Sequence, residues 1–203
     1  RPTSKISLTD VLARVIKMLG ECSHNPQLSY FCLGIILGLA VQPTVRCHLP
    51  DDHVTQFFFQ SLFQNLLEQK QPLHFRENYQ SIWGHNQALD EALLVLEGTL
   101  QVGDRLQAPN QLLDMSELCL EGYAIFPGSA ERRTLFDWWL LEAIPAACLQ
   151  IFPSHIYTLK GLRRREESLE QLRSYFWTVV RQEREAGIHL NSSMESLLGF
   201  MAG

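Results

Sequence analysis

The feature that most constrains this fold is the longest apolar stretch of the chain, fourteen residues from 28 to 41. A helix that crosses a bilayer needs about twenty such residues, so this run predicts a helix buried inside protein and no membrane span. Gly34 and Gly38 lie one turn apart in it. Because glycine has no side chain, this spacing predicts that a neighbouring helix packs closely there.

Helical periodicity dominates the rest of the chain, and no segment alternates apolar and polar residues as a half-buried strand would. Helix starts are predicted at Ser7, Asp51 and Asn86, whose side chains can accept from free amides, and near Ala130. Their separation of about 35 to 45 residues is typical of paired-helix repeats. The predicted fold is therefore all-α, either an irregular bundle or a short HEAT/armadillo-like α-solenoid of about eight to nine helices. We expect one domain over residues 1–203, forming a fragment of a larger protein.

Prolines are expected to set helix boundaries, because proline lacks the backbone donor and its ring clashes with the preceding turn. Pro43 and Pro50 are expected to bracket a loop. Pro145 is expected to kink or end the helix "AERRTLFDWWLLEAI".

A phenylalanine-rich segment, "HVTQFFFQSLFQNLLEQK" at residues 53–70, is apolar over more than half of its helical circumference. Such a helix usually lies between two neighbours, so its aromatic rings are interpreted as core. The alternative is a lipid or peptide groove lined by Phe57, Phe58, Phe59 and Phe63.

The charge distribution argues against nucleic acid as a direct partner. The 203 residues carry a net charge of −5, and 46% of them are hydrophobic, which is typical of a folded domain. Residues 51–125 hold eleven Asp and Glu side chains against three Lys and Arg. This imbalance favours a basic partner, although solvated helix faces produce the same count.

Cysteine usage and motifs predict neither a cofactor nor catalysis. The five cysteines form no Cys-x-x-Cys pair, which indicates reduced thiols and an intracellular location, in cytoplasm or nucleus. "CHLPDDH" at residues 47–53 contains metal-ligand types, but no second ligand pair accompanies it, so no metal site is predicted. Neither Gly-x-Ser-x-Gly nor a phosphate-binding glycine loop occurs. We therefore expect no enzyme.

Two groups of residues are candidates for binding a partner. Trp138 and Trp139 are adjacent and point about 100° apart on a helix, so one can face the surface as an interface anchor. A broad buried face would instead take both rings. Arg163, Arg164 and Arg165 form the densest basic cluster, suited to an acidic partner or phosphate, or to pairing with the glutamates that come next.

One stretch resembles a known family. "YFCLGIILGLAV" followed by "HLPDDHVTQFFFQSLF" resembles the early N-lobe of HECT ubiquitin ligases, where a Leu-Gly-x-x-x-Gly-Leu-Ala helix precedes a loop and an apolar helix. The resemblance covers about 35 of 203 residues. The family's downstream strands and catalytic-cysteine lobe have no counterpart in the sequence, so the resemblance assigns no functional residue. It implies a module that recruits a ubiquitin-conjugating enzyme.

The function predicted from these patterns is a non-enzymatic scaffold or adaptor domain of a larger intracellular assembly. It would bind a helix or extended segment of another protein in a groove or on an exposed apolar patch. The alternatives are the ubiquitin-ligase module and a helical domain that binds lipid or a small molecule.

Overall fold

The computed structural model describes residues 7–49, 54, 58, 77, 79–102, 108–125 and 132–150, and every regular element within them is helical. The helices are α1 (Leu8–Cys22), α2 (Pro26–His48), α3 (Gln87–Gln101), α4 (Ala108–Leu120) and α5 (residues 132–149), with one 3-10 turn at Gln80–Ile82. The predicted all-α class is confirmed for these residues, which contain five of the eight to nine helices expected for the whole chain.

The first helix begins where the sequence predicts. The Ser7 hydroxyl accepts from the Asp10 amide at 3.1 Å, and the Asp10 carboxylate accepts from the Ser7 amide at 3.3 Å. This reciprocal pair is a capping box. The hydrogen bonds from Ser7 hold the pKa of Asp10 below its ordinary value. Asn25 and Asn86 cap α2 and α3, each accepting from the amide three residues on at 3.1 Å.

Helix α2 is the most deeply buried element among the described residues. Every residue in 31–45 is buried, and α2 packs against α1, α3, α4 and the end of α5. By length and composition it could cross a membrane, but 94% of its apolar window is buried inside the structure. The prediction that residues 28–41 form a helix inside protein is confirmed.

The expectation for Pro43 is wrong. Pro43 does not open a loop, because α2 continues through it to His48. A proline inside a helix costs roughly 3 kcal/mol, chiefly through one lost hydrogen bond and a clash with the preceding turn. Gln42, Pro43 and Thr44 are all buried, and burial of this segment offsets that cost. Pro50 lies outside the described residues.

The two glycines of α2 lie where α3 approaches most closely. A Cβ placed on Gly38 would lie 2.8 Å from the Thr99 hydroxyl oxygen, and one on Gly34 would lie 3.4 Å from Val102 Cγ2. The Thr99 hydroxyl donates across the interface to the Gly34 carbonyl at 2.9 Å, and it lies 3.0 Å from the Val95 carbonyl of its own helix. The predicted close packing at these glycines is confirmed.

Helix α5 passes through Pro145 instead of ending there. It consists of an α-helical segment Arg132–Trp138, a π-helical turn Trp139–Ala143 and a second α-helical segment Ile144–Leu149. In the π turn the Ile144 amide donates to the Trp139 carbonyl, five residues back. The extra residue in this turn accommodates the missing donor of the proline that comes next.

Several predicted elements lie outside the described residues. The phenylalanine helix is described only at Val54 and Phe58, which are 4% and 2% exposed. Phe58 reaches α2, since its Cζ atom would lie 3.4 Å from a Cβ on Gly38. The predicted helix starts at Asp51 and near Ala130 also lie outside, although Arg132 already belongs to α5.

The glycine interface yields a first prediction. We expect the free energy of unfolding of the Gly38→Ala variant to be about 1–3 kcal/mol lower than that of the Gly34→Ala variant, because only the methyl group at position 38 would collide with Thr99. Comparing the two alanine variants cancels the gain in helix propensity that each receives. Urea denaturation followed by circular dichroism measures the difference. Equal stability of the two variants would contradict the close approach at Gly38.

Candidate functional site

The two tryptophans predicted as an interface pair both lie in the core. Trp138 is 5% exposed and Trp139 is fully buried. The Trp139 indole N–H donates to the Ser116 hydroxyl of α4 at 3.1 Å, and its ring stacks on Phe136 with centroids 6.2 Å apart. The expectation that one ring faces the surface is therefore not met, and the broad buried face is what the structure shows. A partner-binding role for either residue stays a prediction.

The buried face of α5 is wide because small residues, all alanines, follow the two tryptophans in the sequence and are also buried. Ala143 and Ala147 are fully buried and Ala146 is 4% exposed, and the last two belong to the segment Ile144–Leu149 that packs against α2. Short side chains allow two helix axes to approach, while the large rings one turn earlier fill the space towards α4. This arrangement lets two adjacent tryptophans share one core.

The opposite side of α5 is apolar as well, although it is exposed. Leu141 and Leu149 are each 68% exposed, and Pro145, midway between them, is also exposed. These three residues, spaced four apart, are termed the outer face of α5. They form a stripe along the helix, because residues four apart lie on the same side. Single exposed leucines are common on protein surfaces. An exposed apolar stripe is uncommon on a helix whose opposite face is also apolar and is buried in the core.

A single charged group accompanies this stripe. Glu142 is half-buried, and its Oε2 atom is inaccessible to solvent and accepts no hydrogen bond from the described residues. A buried carboxylate oxygen without a donor is costly. The contact surface of the outer face therefore consists of its three apolar side chains, because the Oε2 atom is shielded from any segment that docks there.

The remaining sequence candidates divide into two sets. Arg163, Arg164 and Arg165 lie outside the described residues, so their role in binding stays a prediction. Cys47 and His48 end α2, while the other polar members of the "CHLPDDH" motif lie outside the described residues. Among the residues that the structure does describe, no three His, Cys, Asp or Glu side chains are grouped to hold a metal ion.

The cysteines occupy different environments but share one chemical state. All five are free thiols; Cys32 and Cys119 are buried, whereas Cys22 and Cys47 are exposed. Burial raises the pKa of the Cys32 thiol far above its ordinary value, so the thiol is protonated at neutral pH. A protonated thiol is a poor nucleophile, as expected for a cysteine on an apolar helix face.

Sequence reasoning missed the outer face of α5, although a signal was present. Residues 138–150 contain one charged side chain, Glu142, so both sides of this helix had to be apolar. The sequence prediction assigned the surface position to a tryptophan ring, because two adjacent rings point about 100° apart on a helix. The leucines lie there instead.

Comparison of the chain with protein-family models, with curated proteins and with solved structures found no match. The resemblance to the HECT N-lobe gains no support from these comparisons, and the site must be interpreted from its own geometry.

Placement of the tryptophans yields a second prediction. We expect Trp139→Ala to lower the free energy of unfolding by about 3–5 kcal/mol, because it empties a packed core position and leaves Ser116 without its donor. Leu141→Ala on the outer face should change it by less than about 0.5 kcal/mol. Chemical denaturation of both variants measures this contrast. A Trp139→Ala protein as stable as wild type would place the ring outside the core.

Proposed function

We propose that this chain is a non-enzymatic protein-interaction domain that binds an apolar helical segment of a partner on the outer face of α5. The observation that carries the proposal is the exposure of Leu141 and Leu149 on a helix whose other side is fully occupied by core contacts. Exposed apolar stripes of this kind are suited to helix-against-helix recognition, in which anchors spaced four residues apart dock together.

The geometry of the surface specifies the kind of partner segment. Leu141 and Leu149 are eight residues apart, about 12 Å along a helix, which matches two or three anchors of an amphipathic helix.

The net charge of the described residues favours a partner segment that carries Lys or Arg. The described residues hold eleven Asp and Glu side chains against five Lys and Arg. An excess of negative charge attracts a basic segment and raises its association rate, more than it strengthens the final contact.

For the fold itself we favour the irregular bundle over the solenoid. Helix α2 contacts α1, α3, α4 and the end of α5, and α1 also packs against α4 and α5. In a solenoid each repeat contacts only its neighbours in sequence, so first-to-last packing of this kind favours a bundle. No contact among the described residues favours the ubiquitin-ligase or the lipid-binding alternative, and both stay predictions.

The proposal is tested by making the outer face polar. We expect Leu141→Gln with Leu149→Gln to weaken binding of the main co-purifying partner at least tenfold, about 1.4 kcal/mol, because the apolar anchors lose their contact. Glutamine preserves helix propensity and adds no charge. Affinity purification identifies the partner, and titration with the purified partner measures the dissociation constant.

Met18→Gln is the matched control, since Met18 is 56% exposed on α1 and lies outside the proposed surface. This variant should bind like wild type. Undiminished binding by the Leu141/Leu149 variant, or equal weakening by Met18→Gln, would contradict the proposed site.

A further inference from the structure

We infer that the Arg133–Asp137 ion pair of α5 is part of the surface that binds the partner, and that the partner helix carries an acidic and a basic residue next to its apolar anchors. This assignment rests on the proposed function, since it specifies the partner that the outer face binds. Three features of the described residues support it: the position of the pair, the order of its two charges, and the mismatch between two copies of the surface.

The ion pair continues the outer face along the helix. Five exposed residues of α5 are spaced four positions apart: Arg133, Asp137, Leu141, Pro145 and Leu149. These five residues are termed the outer row, and the outer face of α5 is its apolar part. Four-residue steps drift by about 40° around an α-helix, but the π turn counters this drift because it holds more residues in each turn. The two charges therefore lie in line with the apolar anchors, where a helix that docks along them meets both.

The charges of this pair are arranged against the preference of their own helix. A helical ion pair is favoured when the acidic residue comes four positions before the basic one, whereas Arg133 comes before Asp137. The Arg133 Nε atom lies 3.8 Å from Asp137 Oδ2, and the two side chains are 88% and 51% exposed. An ion pair so exposed contributes little to stability. Both groups are therefore available to the charges of a partner.

A second copy of this chain does not complement the outer row. If two copies pack antiparallel with Leu141 against Leu149, the charged end of each row lies beyond the paired leucines and meets no opposite charge of the other row. Parallel packing in register places Arg133 against Arg133 and Asp137 against Asp137, and like charges repel. The occupant is therefore a different chain.

The complementary partner is a helix with a matching row. Three apolar residues spaced four apart dock on the outer face, and the next two positions of that spacing carry a basic residue opposite Asp137 and an acidic residue opposite Arg133. A partner helix parallel to α5 is favoured, because its acidic residue then precedes its basic residue by four positions, as helices prefer. Such a helix also supplies the Lys or Arg that the net negative charge of the described residues attracts.

Two synthetic helical peptides test this assignment. Both carry three leucines spaced four apart, preceded at the same spacing by Glu then Lys in one peptide and by Lys then Glu in the other. We expect wild type to bind the Glu-Lys peptide about fivefold more tightly at low salt, because attraction replaces repulsion at two positions. The difference should fall below about twofold in about 1 M salt, where the screening length is about 3 Å. Fluorescence anisotropy measures the four dissociation constants.

Exchange of the two charges in the protein provides the reciprocal measurement. The double variant Arg133→Asp with Asp137→Arg keeps the composition and the net charge, and it should prefer the Lys-Glu peptide about fivefold. The matched control is Lys17→Glu with Glu21→Lys on α1, another exposed ion pair of the same spacing and order, at 3.7 Å. This control should keep the preference of wild type.

Equal affinity of wild type for the two peptides, or an unchanged preference in the Arg133/Asp137 variant, would overturn the inference. The proposed function is tested separately by Leu141→Gln with Leu149→Gln, which should weaken both peptides to the same extent. If this variant binds both peptides as tightly as wild type, the proposed function is contradicted. Dimerisation of wild type that the leucine variant abolishes, measured by sedimentation equilibrium, would make a second copy the occupant and overturn the inference.

Discussion

Burial of α2 over residues 31–45 is the constraint on which the rest of this structure depends. A helix that is apolar on every side cannot face water on any side, so other helices must surround it. At about 25 cal/mol for each Å² of apolar surface removed from water, enclosing such a helix is a main source of stability. The packing of α1, α3, α4 and α5 around α2 is the consequence.

Several polar groups of the interior form hydrogen bonds between separate elements. The Thr99 hydroxyl donates to a carbonyl of α2, and the Trp139 indole donates to Ser116. The buried Ser29 hydroxyl lies 2.6 Å from that of Ser23 at the end of α1. Each bond joins two different elements and restricts how they can pack, since breaking it would leave a buried polar group unsatisfied.

Local signals in the sequence predicted much of this arrangement. Helix starts at Ser7 and Asn86 depend on hydrogen bonds to amides three residues away, so the sequence alone is enough to place them. The buried run of α2 was predictable because its composition leaves no polar side. The continuation of α2 through Pro43 was not predictable. Proline inside a helix carries a local penalty of about 3 kcal/mol, and the burial that outweighs it comes from contacts with other helices, which are distant in sequence. The direction of Trp138 and Trp139 depends on a π turn and on alanines that bring α5 towards α2, which are also properties of the assembled fold.

The central claim is that α2 is enclosed by helices of its own chain, and native-state hydrogen exchange tests it most directly. The account predicts that amides in residues 31–41 exchange only through global unfolding, with an exchange free energy equal to that from urea denaturation of the same protein. The result should be the same with and without lipid vesicles. Exchange of these amides well below the global free energy, or protection that requires vesicles, would contradict the claim.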